Sequence, residues 1–153
     1  MLLHIIAASN RQPQWVETAF ATYAKRFRAP LNVKYTQLRL VRSPDVEHAK
    51  AEEGRRLLHA AGRGAYIVAL HETGERWTTR QLADKLDQWA ADAVNPCFLI
   101  GGPDGHSAAT QAAAAVLWSL SPLTLPHSLA RVIVAEALYR AASLRAGHPY
   151  HRD

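Results

Sequence analysis

Apolar and polar positions along the chain alternate between two kinds of segment. Short runs that are apolar almost throughout, "LLHIIAA" (2–8), "AYIVAL" (65–70) and "CFLIGG" (97–102), are separated by longer stretches whose apolar residues recur every three or four positions. The short runs predict buried strands and the longer stretches predict helices. A fourth strand is expected in "NVKYTQLRL", where Val33, Tyr35, Gln37 and Arg39 alternate imperfectly with Lys34, Thr36, Leu38 and Leu40, as at the edge or start of a sheet. The first helix is expected in "PQWVETAFATYAKRF", opened by Pro13 with Trp15, Ala19, Tyr23 and Phe27 four apart. "SPDVEHAKAEEGRRLLHAAG" opens on Ser43-Pro44 and ends on Gly62, and "TTRQLADKLDQWAAD" is capped at Thr78 or Thr79. "SAATQAAAAV" predicts a short helix, and a helix of about twenty residues runs from His127 to Ala146. This β-α alternation predicts an α/β fold, a mostly parallel sheet sandwiched by helices, with residues 1–153 as one domain.

Two segments break the pattern. "WSLSPLTLPHS" (118–128) carries Leu120, Leu123 and Leu125 yet also Pro122 and Pro126, too apolar for a solvated loop and too rich in proline for a core strand. It predicts a buried, stiffened loop with free backbone N–H and C=O groups, suited to a flat, neutral, hydrogen-bonding ring such as adenine. The last helix is apolar around most of its girth, from Leu129 through Val132, Ile133 and Val134 to Leu138, Ala141 and Leu144. One stripe suffices to cover a sheet, so two faces point either to a second subunit or to burial within one domain.

Composition adds limits. The chain is 48% hydrophobic and 20% charged, which is ordinary for a globular protein, and no run is long enough to span a membrane. The first ten residues read as a strand, lacking the basic start of a signal peptide. The single cysteine, Cys97, lies inside "CFLI" and reads as an inert core thiol in a reducing cytoplasmic compartment. A formal charge of +5 favours a polyanionic partner.

In open α/β sheets, ligands bind beyond the carboxyl ends of the strands. "VALHETGERW", "LIGGPDGHS" and the proline-bearing loop occupy such ends. Gly101, Gly102 and Gly105 permit close backbone approach, but G-G-P-D-G matches neither the phosphate-binding nor the dinucleotide glycine pattern. Plain strand-to-helix turn chemistry accounts for them equally well. The terminal "AGHPYHRD" offers an aromatic face, an imidazole and a guanidinium, but two histidines three apart make a poor metal site, so no metal is expected. Ser107, Ser119, Ser121 and Ser128 lack a nucleophile elbow, which argues against hydrolase chemistry.

"LIGGPDG", "SLSPLTLPHSLARVIVAEALYRA" and "HPYHRD" together resemble the RlmH family of SPOUT-class methyltransferases, and the likeness runs the whole chain. Ser128 stands where many relatives have proline, and His71 where an acidic residue is frequent. The resemblance implies an S-adenosylmethionine-dependent enzyme that methylates N3 of a pseudouridine in a stem-loop, helix 69, of large-subunit (23S) ribosomal RNA. It implies a homodimer through the C-terminal helix and a deep C-terminal trefoil knot, which topology rules alone would not supply. Donor contacts map onto Leu70, Gly101, Leu120, Ser121, Pro122, Leu123, Thr124 and Leu125. His151 and Tyr150 are the expected catalytic residues, the first as proton acceptor and the second against the target base. Arg131 and Arg152 are expected to pair with RNA phosphates, while Glu136 and Arg140, four apart on the last helix, read as an intrahelical ion pair. No separate RNA-binding module is evident, so an assembled ribosomal particle is the expected substrate. A related enzyme acting on another RNA such as tRNA, and a non-catalytic RNA-binding assembly factor, remain the alternatives.

Overall fold

A computed structural model describes residues 1–152; Asp153 lies outside the described residues. Five strands, β1 (Leu2–Ala8), β2 (Asn32–Leu38), β3 (Tyr66–Arg76), β4 (Pro96–Ile100) and β5 (Val116–Ser119), form one sheet in the order β2-β1-β4-β3-β5. Every neighbouring pair is parallel. Five helices connect them: α1 (Gln14–Ala24), α2 (Val46–Ala61), α3 (Thr79–Ala91), α4 (Ala108–Ala113) and α5 (His127–Arg145). The α/β sandwich expected from the alternation is present.

Strand pleat divides the core into two layers. Leu3, Ile5 and Ala7 of β1 join Val68, Phe98 and Ile100 beneath α1, α3 and α5, with Phe20, Leu82, Leu86, Trp89, Val134 and Leu138. Ile6 and Ala8 join Ile67, Ala69, Leu99 and Leu57 beneath α2 on the other face. Side chains alternate along each strand, so continuously apolar strands are what a sheet covered on both faces requires.

Local chemistry sets the helix starts. Thr78 Oγ1 accepts from Gln81 N at 3.2 Å while Gln81 Oε1 accepts from Thr78 N at 2.8 Å, a reciprocal cap. At α2 the capping residue is Asp45 rather than Ser43-Pro44; its carboxylate accepts from Glu47 N and His48 N.

Several elements depart from the sequence reading. The α1 stripe is shifted by one residue: Val16 and Phe20 are buried, while Trp15 is 55% exposed. α1 also stops at Ala24, short of Phe27. β5 replaces the expected end of the short helix, since α4 closes at Ala113 and Val116–Ser119 pair with β3. β3 continues to Arg76 through a register shift: Leu70 and Glu75 both face Trp118, so residues 71–74 buckle out between them. A Cβ on Gly74 would lie 2.5 Å from the Leu117 backbone, which explains the glycine at this close strand approach. The proline-bearing loop is less buried than expected, with Leu123 71% exposed.

Candidate active site

A cleft of about 920 Å³ opens beyond the carboxyl ends of β3, β4 and β5. Its volume is at the upper end of small-molecule sites. Three backbone segments enclose it: the β3 buckle at His71 and Glu72, the loop Gly101–His106 after β4, and the segment from Leu120 into the first turn of α5. Lys50 of α2 and Gln111 of α4 reach the rim.

The loop after β4 is closed by its own backbone. Gly105 N donates to Gly102 O at 2.9 Å, and Gly105 adopts φ +80°. A Cβ on Gly101 would meet Gly105 C at 3.0 Å and His106 N at 3.2 Å, whereas one on Gly102 would meet Glu53 Oε2 and Leu40 Cδ2 at 2.9 Å. Gly101 is therefore packed tightly against the backbone of its own loop, and Gly102 against the side chains of Glu53 and Leu40. The loop ends on His106, 4% exposed, whose Nε2 lies 3.2 Å from the Leu99 carbonyl oxygen. A carbonyl only accepts, so Nε2 carries the proton and Nδ1 is left as an acceptor, buried and without a partner. Burial lowers the His106 pKa, the Leu99 carbonyl opposes this, and nearby His71 adds to the lowering. The imidazole is held neutral.

Side-chain ties hold the segment after β5. Ser119 Oγ donates to Ser121 O, Leu123 N donates to Ser121 Oγ, both at 3.0 Å, and Thr124 Oγ1 donates to Glu72 Oε2 at 3.3 Å. Gln12 Nε2 lies 3.1 Å from His127 Nε2 and joins the loop after β1 to the start of α5. Of the residues mapped onto donor contacts, Leu70, Gly101, Leu120, Ser121, Leu123, Thr124 and Leu125 line the cleft; Pro122 is exposed and does not. The buckle residues Glu72 and His71, and the buried His106, belong to the lining although spacing alone did not single them out as ligand-facing. The register shift that presents the first two has no signature beyond Gly74.

The tail lies elsewhere. After α5 the chain turns at Gly147, φ +64°, and folds back on its own helix. Tyr150 Oη donates to Glu136 Oε1 at 3.1 Å, and its ring meets Tyr139 edge-on with centroids 4.8 Å apart. The Arg140 and Arg26 guanidinium carbons lie 5.0 and 5.7 Å from that ring. Burial first, then the bond to Glu136, pushes the Tyr150 phenol up to about 12. Tyr150 is thus packed into its own chain, and its hydroxyl holds the tail down instead of presenting a free edge to a base. Neither Tyr150 nor half-buried His151 lines the cleft. Glu136 is nine residues beyond His127 on α5, about 13 Å at 1.5 Å per residue. The expected Glu136–Arg140 pair is present, and Tyr150 joins it.

Arg131 requires a correction. It is 3% exposed, and its guanidinium donates to both Glu17 carboxylate oxygens at 2.8 Å while lying 3.7 Å from the Tyr35 ring centroid. These bonds pull the Glu17 carboxyl below its usual range. Arg131 ties α5 to α1, and its guanidinium, with Nε buried and without a hydrogen-bond partner, is not at the surface where a phosphate would meet it. Arg152 is exposed. Among the described residues no group of three or more His, Cys, Asp or Glu is placed to hold a metal, and no helix is long and apolar enough to cross a membrane. Burial raises the Cys97 thiol pKa.

The chain is similar to a solved SpoU methyltransferase, AviRb from Streptomyces viridochromogenes in complex with the cofactor AdoMet, at 15% identity and a TM-score of 0.47. That alignment covers 92% of this chain, which spans 58% of the other's length. A family model described as "Predicted SPOUT methyltransferase" matches residues 1–151, consistent with the RlmH-type resemblance. The chain belongs to the SPOUT methyltransferase family.

Proposed function

We propose that this protein is an S-adenosylmethionine-dependent RNA methyltransferase, acting as a cytoplasmic homodimer on N3 of a pseudouridine in helix 69 of 23S ribosomal RNA within the assembled ribosome. One observation carries the reading. In a chain of this family, a cleft at the carboxyl ends of β3, β4 and β5 is bounded by the backbone of 120–125 and by a tightly closed glycine loop.

The lining fits such a donor. Leu70, Ile100, Trp118, Leu120 and Leu125 supply apolar walls for an adenine, and His106 Nδ1 is a buried acceptor lacking a donor. Glu72 and Asp104 bring carboxylates suited to a cationic group, and Lys50 brings a cation suited to a carboxylate. When bound, S-adenosylmethionine would supply an already activated methyl group, so no metal or covalent enzyme intermediate is needed. Leu70, Gly101, Leu120, Ser121, Leu123, Thr124 and Leu125 hold and orient it, and exclusion of water by the closed loops favours near-attack geometry.

The uracil-type N3–H must lose its proton, a step that His151 can assist as acceptor. The phenol of Tyr150, at about 12 and already donating to Glu136, serves to fix the tail. Because the tail docks away from its own cleft, a complete site needs a second copy that brings its tail to this cleft. Trp15, Leu129 and Ile133, exposed on the adjoining helices α1 and α5, offer an apolar face for that copy. Threading of α5 into a trefoil knot belongs to the same reading. Its support is that α5 follows the edge strand β5 in the chain yet begins beside the loop after β1, where His127 lies 3.1 Å from Gln12, and packs on both α1 and α3.

Calorimetry with S-adenosylmethionine, followed by nucleoside mass spectrometry of ribosomal RNA from a deletion strain, tests the reading. Expected are donor binding and the loss, then restoration on complementation, of one N3-methylated pseudouridine. No donor binding by the pure protein would leave only the assembly-factor alternative, and an unchanged ribosomal RNA with an altered tRNA would move the substrate. Mixing a Gly101→Val protein with one lacking residues 150–153 should restore about a quarter of wild-type turnover, because each mixed dimer keeps one intact cleft facing one intact tail.

A further inference from the structure

The net charge of +5 is unevenly committed. Arg55 and Arg56 are paired with Glu52, Arg131 with Glu17, Arg140 with Glu136 and Arg145 with Asp87. Arg11, Arg39 and Arg42 are exposed and have neither an ion-pair nor a hydrogen-bond partner among the described residues. All three lie in loops leaving the carboxyl ends of adjacent strands, Arg11 after β1 and the other two after β2. The strand ends are in register, with Ala8 opposite Leu38 and Ser9 N donating to Leu38 O at 2.8 Å. The cleft lies at this same end of the sheet, and β4, whose loop forms one wall, is the other neighbour of β1.

Each loop is also tied to a wall of the cleft. In the loop after β1, Gln12 bonds Ser9 Oγ and Asn10 O at 2.9 Å and reaches His127, a cleft residue, at 3.1 Å. In the loop after β2, Glu53 provides the tie. This residue is 8% exposed, and its Oε1 accepts from Val41 N, between the two arginines, at 3.0 Å. Its Oε2 and Leu40 Cδ2 pack against Gly102, each 2.9 Å from where a Cβ would stand. A buried carboxyl is costly to desolvate and is retained where its bonds fix something. Here it bonds the backbone between Arg39 and Arg42 and packs beside Gly102 in the loop of the cleft.

We propose that Arg11, Arg39 and Arg42 form a phosphate-contacting platform for the RNA substrate, held in register with the cleft by Glu53 and Gln12. The proposal rests on the RNA methyltransferase reading and deepens it by naming the surface that carries the RNA backbone. Guanidinium groups on fixed loops suit phosphate oxygens, and such contacts set the position of a substrate without reading its sequence. Arg131, expected from the sequence to have this role, is replaced in it by residues that are free. Glu53 acts as a positioning residue, through the loop.

The test measures binding to large ribosomal subunits prepared from a deletion strain, across a series of salt concentrations. Replacing Arg11, Arg39 and Arg42 together with Gln should reduce the slope of log affinity against log salt by about 2 to 3, and each alone by about 0.7 to 0.9. S-adenosylmethionine affinity should not change. Glu53→Ala should also weaken binding, although it makes the protein more positive by one charge, and Glu53→Gln, which keeps a carbonyl acceptor for Val41 N, should recover it. An unchanged slope and affinity in the triple variant would overturn the platform, whatever Glu53→Ala does to folding. If the wild type binds subunits with the full salt slope but transfers no methyl group, the enzymatic reading fails and the platform stands.

Discussion

The two regions proposed to share the chemistry are built by opposite means. The cleft is shaped by backbone: Gly105 N on Gly102 O, a bulged β3, and a loop in which a Cβ on Gly101 would lie 3.0 Å from the Gly105 carbonyl carbon. The tail is held by side chains: Tyr150 on Glu136, its ring on Tyr139, and the guanidinium groups of Arg26 and Arg140 beside it. A backbone-shaped region tolerates few substitutions, because added atoms meet groups that cannot rotate away. A region held by side chains loses its ties one at a time. The difference matches the proposed tasks, in which the cleft would hold the methyl donor and the tail would carry His151 to a neighbouring molecule.

Gly101→Val puts this contrast to its hardest test. The branched side chain forces the loop from Gly105 to His106 outward, so donor affinity should fall by at least about 100-fold, with a loss of about 1–3 kcal/mol in stability from overpacking. Calorimetry and urea unfolding measure the two effects. Wild-type affinity in this variant would mean that the loop yields and that the cleft is not set by its backbone. Removing residues 150–153 should do the reverse, leaving donor affinity and unfolding midpoint nearly unchanged while turnover falls below detection. Residual turnover within tenfold of wild type would take the tail out of the mechanism.

The helix joining these regions supplies the next effect. Arg131→Ala leaves Glu17 without its bidentate partner and should cost about 2 kcal/mol, less than the roughly 3–5 kcal/mol of a fully buried pair because the Glu17 side chain is 43% exposed. The pair also sets an acid limit. The folded Glu17 carboxyl lies below its unfolded value of 4.5, so its contribution is complete above that pH and is lost as pH falls through the lowered folded value. Unfolding free energies measured from pH 6 downward should therefore drop less in Glu17→Gln than in the wild type. Equal acid slopes would show that the pair contributes little to folding.

Where neighbours in sequence decide the structure, the chain was legible. The apolar runs gave β1 and β4, and Pro126 with the pattern from His127 placed the start of α5 at its observed residue. The reciprocal cap at Thr78 is likewise written locally. Contacts between distant segments were not legible. Glu17 and Arg131 are 114 residues apart, and nothing near either one signals the other. β5 follows an alanine-rich stretch with high helix propensity, and only pairing with β3 makes "VLWS" extended. In α1, Trp15 fits a four-residue spacing as well as Val16 does, and which one is buried depends on how α1 lies on the sheet and α5. In the candidate site, the glycine-rich and proline-bearing loops both line the cleft, while the bulge that presents Glu72 and the burial of His106 arise from the fold.

The smallest effect is the most specific to how the tail is held. Tyr150→Phe keeps the ring against Tyr139, Arg26 and Arg140 but deletes the bond to Glu136. A single hydrogen bond of this kind contributes about 1 kcal/mol, hence a reduction in turnover of roughly fivefold if the tail must be docked to act. Glu136→Gln should give a similar reduction, since an amide oxygen is a weaker acceptor than a carboxylate. The double variant should then lose little more than Tyr150→Phe alone, because that change already removes the bond that Glu136→Gln weakens. Donor affinity should be constant across all three, since neither residue lines the cleft. Additive losses in the double variant would mean that Tyr150 and Glu136 act separately, with Tyr150 touching the substrate after all. That result would return the phenol from a tether to a catalytic position, and the tail would resemble the cleft more closely than its packing implies.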